Sequence, residues 1–148
     1  MTPATATNAV AGRVTLNGEM NYEAIRQLKI DSTVTVVQSP GGTGAAAMAL
    51  GRVSRLIIDG PCNSACAWAF IRNPHACFTA RSSFGFHAAH DPGTRTRLPT
   101  ATVYWLEQVK PAGLRSRLAP LKTSSKLVRL TAGDMRRYYG ERFCSASN

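Results

Sequence analysis

Two short aliphatic runs, Val34-Thr35-Val36-Val37 and Leu56-Ile57-Ile58, each stop at a break rich in glycine and proline and hand over to a small-residue stretch. Apolar, β-branched runs without polar alternation are what strands buried on both faces require. The breaks are Pro40-Gly41-Gly42 and Asp59-Gly60-Pro61, and the stretches that follow, Thr43–Ser54 and Ser64–Ile71, read as helices. Strand, helix, strand, helix, strand has a mainly parallel sheet with flanking helices as its usual solution. The expected fold class is therefore α/β. Further strands are expected at Arg13–Leu16, Ala76–Thr79, Phe84–His87 and Leu127–Leu130. Helices are expected at Tyr22–Leu28, Thr102–Val109, Arg115–Leu118 and Thr131–Tyr139, the last closed by Gly140. Residues 1–9 read as a disordered tail and 10–148 as one domain, large enough to bury a core without staples.

In sheets of this kind the chemistry collects beyond the carboxyl ends of strands, and the sequence places chemical groups there. Gly41 and Gly42 follow the first strand, Ser64 opens the second helix, and His87 ends a strand 23 residues after Ser64. A serine hydroxyl is a poor nucleophile until a base takes its proton, and the oxyanion it creates needs fixed donors. Ser64 at a helix start sits where negative charge is favoured, although serine at that place can equally cap the helix. His87 supplies an imidazole as general base, with His90 as its rival. Glycine at 41 and 42 lets backbone N–H groups approach a substrate. The His87-x-x-His90 pair suits neighbours on a helix better than a strand and turn, so no metal site is expected and no cofactor is required.

These segments resemble the Clp-type serine peptidases within the crotonase-like superfamily. Val34-Thr35-Val36-Val37-Gln38-Ser39-Pro40-Gly41-Gly42 is similar to that family's strand ending in Ser-Pro-Gly-Gly. Asn63-Ser64-Ala65-Cys66-Ala67 resembles its nucleophile segment, closest to the Ser-Ala-Cys form of periplasmic relatives, and Phe84-Gly85-Phe86-His87 its histidine strand. The resemblance implies a fold of ββα repeats and a serine hydrolase, a peptidase acting on peptide or protein substrates. It implies Ser64 as nucleophile, His87 as base, and an oxyanion hole from the Gly41/Gly42 pair and the Ala65 N–H. It also implies an exported setting, whereas Met1–Ala11 has neither the cationic start nor the apolar core of a signal peptide. The family's acidic third member has no counterpart in Thr123-Ser124-Ser125-Lys126-Leu127. Asp134 is the nearest carboxylate, but Thr131-x-x-Asp134 also reads as a capping box, and Asp91 is a further choice. A backbone carbonyl or the Ser125 hydroxyl could orient His87 instead. The missing acid leaves a second reading, a weak or inactive Clp-like scaffold used for binding or assembly, or a hydrolase of thioesters and other acyl groups. The family forms rings through a long handle helix. Pro111 and Pro120 break the corresponding segment, so homo-oligomers stay possible while ring formation and an ATPase partner do not carry over.

No apolar run reaches the roughly 18 residues of a membrane span. Four cysteines, Cys62, Cys66, Cys77 and Cys144, permit two disulfides in an oxidising compartment. Cys62 and Cys66 lie one helical turn apart, close enough to bridge if the turn bends, and Cys77 reads as a small buried hydrophobe in its strand. The net charge of +10 is uneven: residues 75–148 carry +8 of it. A surface of this kind either keeps the chain soluble or binds polyanions. If it binds them, affinity for heparin or DNA falls steeply with added salt as counterions are released, and a salt titration of heparin binding measures this. Binding undetectable at low salt leaves the charge as a solubility device.

Overall fold

The computed structural model describes residues 12–145, together with the backbone of Pro3–Ala4 and Thr7–Val10. Those two segments are strands β1 and β2, so part of the stretch expected to be a tail is extended and paired; the rest of that stretch lies outside the described residues. Pairing of β2 with its neighbour satisfies the backbone edge that a free tail would leave open.

The chain then runs β3 (Arg13–Asn17), β4 (Glu19–Met20), α1 (Tyr22–Ile25), β5 (Thr33–Gln38), α2 (Gly44–Leu50), β6 (Arg55–Ile58), β7 (Pro61–Asn63) and α3 (Ala65–Arg72). It continues with β8 (Ala76–Phe78), β9 (Ser83–Phe86), α4 (Pro99–Leu106), α5 (Ala112–Leu118), β10 (Val128–Thr131) and α6 (Ala132–Tyr139). The expected α/β architecture is present as two larger sheets, with a short parallel pair of β1 and β4 beside them. A five-stranded sheet has the order β2-β3-β5-β6-β8, parallel from β3 onward with β2 antiparallel at its edge. A three-stranded sheet has the order β10-β9-β7, with β7 and β9 parallel and β10 antiparallel.

Val34 and Val36 on β5 and Leu56 and Ile58 on β6 are fully buried, while Thr35, Val37 and Ile57 between them are half-buried. The second face is thus less completely covered than the aliphatic runs imply. Helix α3 is buried from Ala65 to Ile71, and it packs against α2, β7, β8 and β9. A helix apolar all round needs neighbours on every side, which places α3 at the centre of the fold. Its Phe70 ring meets Phe78, Phe84 and Tyr139 at centroid distances of 5.7, 4.9 and 5.7 Å.

Several boundaries differ from expectation for local reasons. Thr43 caps α2 by accepting from the Ala46 N–H at 3.2 Å, and the helix ends at Gly51 rather than running to Ser54. Pro61, expected as the end of the break Asp59-Gly60-Pro61, instead opens strand β7 (Pro61–Asn63), where its first position tolerates the missing N–H. Gly140 does not close α6 in a left-handed turn; its φ of −54° leads into a 3-10 turn over Gly140–Arg142. The segment after His90 forms the two short helices α4 and α5, broken before Pro111.

Cys77 is not a free buried hydrophobe. It is bridged to Cys144, and Cys62 is bridged to Cys66. The Cys77–Cys144 bond spans 67 residues and fastens the chain end to β8, where the Cys144 N–H also donates to the Phe78 carbonyl at 2.9 Å. Closing so long a loop restricts the unfolded chain strongly. Cys77→Ala/Cys144→Ala is expected to lower the unfolding free energy by about 4 kcal/mol on the loop-closure relation, read as a shift in the urea midpoint. An unchanged midpoint would show that this bridge contributes nothing.

Candidate active site

Three strand ends meet at one place. Beyond Gln38 the chain of β5 leaves its own sheet and pairs with β7: the Ser39 N–H donates to the Pro61 carbonyl at 2.8 Å and the Asn63 N–H to the Ser39 carbonyl at 3.0 Å. Because β7 pairs in turn with β9, the ends of β5, β7 and β9 present Pro40-Gly41-Gly42, Ser64 and His87 side by side. They line a cleft of about 370 Å³, with Glu19, Trp68, Trp105, Asp91 and Arg95 also in its wall.

Ser64 links β7 to α3 with φ 58° and ψ −124°, a conformation a non-glycine residue occupies only at a cost of order 1–3 kcal/mol. Sharp strand-to-helix turns of this kind put a serine hydroxyl into the open. The hydroxyl does not cap the helix, although serine is well suited to do so, and no hydrogen bond engages it among the described residues. The Ser64 N–H is taken by the Gly85 carbonyl at 2.7 Å. The turn needs glycine next to it: a Cβ on Gly41, whose φ is 117°, would lie 2.6 Å from Ser64 Cβ. Gly42 packs as closely on β4, where a Cβ would meet the Met20 carbonyl oxygen at 2.3 Å.

The three expected oxyanion donors are not equivalent. The Gly41 N–H donates to the buried Ser39 hydroxyl at 3.1 Å. The N–H groups of Gly42 and of Ala65, the first residue of α3, have no hydrogen-bond partner among the described residues, and both residues line the cleft.

His87 follows β9 and is half-buried. Its Nδ1 lies 2.6 Å from the Ala88 carbonyl oxygen, and its own carbonyl accepts from the Trp68 indole N–H at 3.3 Å. With Nδ1–H donating to that carbonyl, Nε2 is left as the basic nitrogen. No hydrogen bond joins Ser64 to His87 among the described residues, although both line the cleft. His90 stands ring to ring with His87 at 5.4 Å, and its Nε2 is 3.4 Å from the Ser125 hydroxyl. Ser125 therefore orients His90 rather than His87.

The carboxylates lie elsewhere. Asp134 forms both halves of the capping box of α6: its carboxylate accepts from the Thr131 N–H at 3.0 Å, and its own N–H donates to the Thr131 hydroxyl at 3.1 Å. Asp134 does not line the cleft, and Arg117 stands 3.7 Å from it on the outer side. Asp91 does line the cleft, yet its Oδ1 accepts the Gly93 and Thr94 N–H groups at 2.8 and 3.1 Å and so shapes its own loop.

Sequence reasoning missed Trp68, Trp105, Ser39, Glu19 and Arg95. Trp68 was within reach, since it lies four residues after Ser64 on the same helix face. It stacks on Trp105 at 6.1 Å, and together they make an apolar wall. Trp105, Glu19 and Arg95 carry no local signal, because only the fold brings α4, β4 and the loop after His90 to the cleft.

The structure is similar to ClpP1 from Listeria monocytogenes, with a TM-score of 0.56 and 13% sequence identity over 86% of this chain and 86% of that one. A mutant of the same ClpP1 matches with the same score and identity over 85% of this chain and 86% of the other. At that identity the likeness carries the fold, and the chain has a Clp protease-like α/β fold. No family model matches the sequence, and no curated protein matches it.

The Asp134 carboxyl is held below the usual carboxylate range mainly by the Thr131 N–H, an effect that burial partly opposes, with smaller contributions from the Thr131 hydroxyl, Arg117 and Arg137. A carboxyl depressed in the folded state stabilises at pH above its unfolded value of about 4 and loses that stabilisation as pH falls through its folded value. Asp134→Ala is expected to cost about 1 kcal/mol at neutral pH and progressively less below about pH 4, measured by urea unfolding across pH. A loss that persists undiminished in acid would overturn the capping assignment.

Proposed function

We propose that this chain is a serine hydrolase that works through a Ser64–His87 pair, with a peptide or protein as the substrate. The observation that carries this reading is the Ser64 turn: a strained residue whose hydroxyl, beside two N–H groups and His87 Nε2, has no hydrogen-bond partner among the described residues. Ser64 Oγ attacks the substrate carbonyl carbon while His87 Nε2 takes the hydroxyl proton. The tetrahedral oxyanion is held by the N–H groups of Gly42 and Ala65, with the positive end of α3 behind them. Gly41 serves by keeping Ser39 and the turn in register rather than as a donor. Collapse of the intermediate expels the leaving group, which receives the proton from His87, and water then hydrolyses the acyl-enzyme by the reverse sequence of proton transfers.

In this reading the Ala88 carbonyl fixes the His87 tautomer in place of the family's carboxylate. A carbonyl orients the ring but supplies no full charge to stabilise the imidazolium, so turnover is slow; loss of the corresponding carboxylate in a serine protease costs about 10⁴ in rate. The absence of a hydrogen bond between Ser64 and His87 among the described residues also favours the second reading, a Clp-like scaffold that binds peptides or acyl groups without efficient turnover. Catalytic hydrogen bonds often tighten only when substrate is bound, which supports retaining the first. Two disulfides favour an oxidising compartment and thus an exported protein.

A fluorophosphonate probe distinguishes the readings without knowledge of the substrate. Wild-type protein is expected to label slowly at one site. Ser64→Ala abolishes the label, and His87→Ala lowers the rate by at least tenfold, since members of one catalytic unit act together. Folded wild-type protein that never labels would sink the hydrolase reading.

A further inference from the structure

Ser64 is the centre of a covalent ring. Cys62 lies in β7 and Cys66 in the first turn of α3, and the disulfide between them encloses only Asn63, Ser64 and Ala65. Both cysteines are fully buried, with their Cα atoms 5.2 Å apart. A ring this small removes much less unfolded-chain entropy than the bridge spanning 67 residues, so its main consequence is local.

That consequence falls on the nucleophile turn. Up to the Ser64 N–H, the chain is held by the ladder: Asn63 N–H donates to the Ser39 carbonyl and Ser64 N–H to the Gly85 carbonyl. Beyond that point the backbone enters α3, and the bridge is the covalent tie between helix start and strand end. A serine before a helix ordinarily takes an extended φ and turns its hydroxyl onto the N–H groups of the first turn. Ser64 does neither: its φ is 58° and it makes no cap hydrogen bond. Relaxation to the capping form would shift α3 relative to β7, and a 5.2 Å link between residues 62 and 66 opposes that shift.

We propose that the Cys62–Cys66 disulfide is a positioning element of the active site, which holds Ser64 at positive φ so that its hydroxyl faces the cleft and the Ala65 N–H stays unengaged. Its effect on activity rests on the Ser64 hydrolase reading; its effect on the backbone does not.

The test compares Cys62→Ala/Cys66→Ala with Cys77→Ala/Cys144→Ala as a control that removes the other bridge. Crystal structures give the Ser64 φ directly, and fluorophosphonate labelling gives a maximal rate and a half-saturating probe concentration. The first pair is expected to move Ser64 to negative φ and to lower the maximal rate at least tenfold with the half-saturating concentration within twofold. The control is expected to lower the melting temperature while leaving φ and labelling unchanged below it. If Cys62→Ala/Cys66→Ala fails to fold, the control protein, which retains only the Cys62–Cys66 bond, is reduced with a phosphine and checked by intact mass. Labelling that is lost on reduction and returns on reoxidation supports the proposal, and unchanged labelling overturns it. A Ser64 that keeps positive φ without the bond overturns it as well. If wild-type protein does not label at all, the hydrolase reading fails while the φ comparison still decides whether the bridge positions the turn.

Discussion

The turn at Ser64 brings a strand end and a helix start together around a residue at positive φ, and the neighbouring chain is shaped to leave room for it. Gly41 sits where a Cβ would strike Ser64, and Gly85 sits where a Cβ would lie 2.3 Å from the Asn63 side-chain oxygen. The strand leaving β5 must pass close to β7 for Ser39 to pair with Pro61 and Asn63, and β9 must pass equally close on the other side. The first approach joins the five-stranded sheet to the three-stranded one, and the second holds the three-stranded sheet together. A side chain at Gly41 would displace the Ser64 turn, and one at Gly85 would push β9 away from β7, both where the cleft forms. The fold and the site thus depend on the same close contact.

Helix α3 serves both sides of that contact. Its apolar body, from Ala65 to Ile71, fills the centre of the core, and its first residue, Ala65, also lines the cleft. Trp68, one turn in, belongs to both: its ring meets Phe86 edge-on at 4.9 Å, and its indole N–H holds the His87 carbonyl. His87 is therefore tied to the helix that Ser64 precedes, even though no hydrogen bond joins the two side chains among the described residues. Movement of α3 would carry Ser64 and the support of His87 together.

The basic C-terminal half has structural uses that its charge alone does not reveal. The Arg142 guanidinium donates to the Phe70 carbonyl at 2.8 Å and lies 4.5 Å from the centre of the Tyr139 ring. Arg136 covers the Phe143 ring at 4.0 Å, and Arg115 donates to the carbonyls of Val109 and Lys110. Planar, multiply donating guanidinium groups suit such work better than ammonium groups do. Part of the cationic excess is engaged in fastening chain segments that have little regular structure of their own.

By itself the sequence determined the α/β class and most of the element order, since aliphatic runs ended by Gly41-Gly42 and Gly60-Pro61 leave few alternatives. It also marked Ser64, His87, Gly41 and Gly42 as residues that would meet, because each stands at a strand end or a handover to helix. It did not reveal β7, whose three residues begin with Pro61, nor the pairing of Cys77 with Cys144 across 67 residues. Local pattern cannot encode a partner that is distant in sequence. Tertiary structure alone decided that Gly42 and Ala65 keep N–H groups without a partner among the described residues while Ser39 occupies that of Gly41, and that the Ala88 carbonyl rather than an acid meets His87 Nδ1. It also decided that Asp134 caps a helix outside the cleft. Such roles turn on hydrogen-bond distances of about 3 Å between groups on different elements, and only the packed sheets fix those distances.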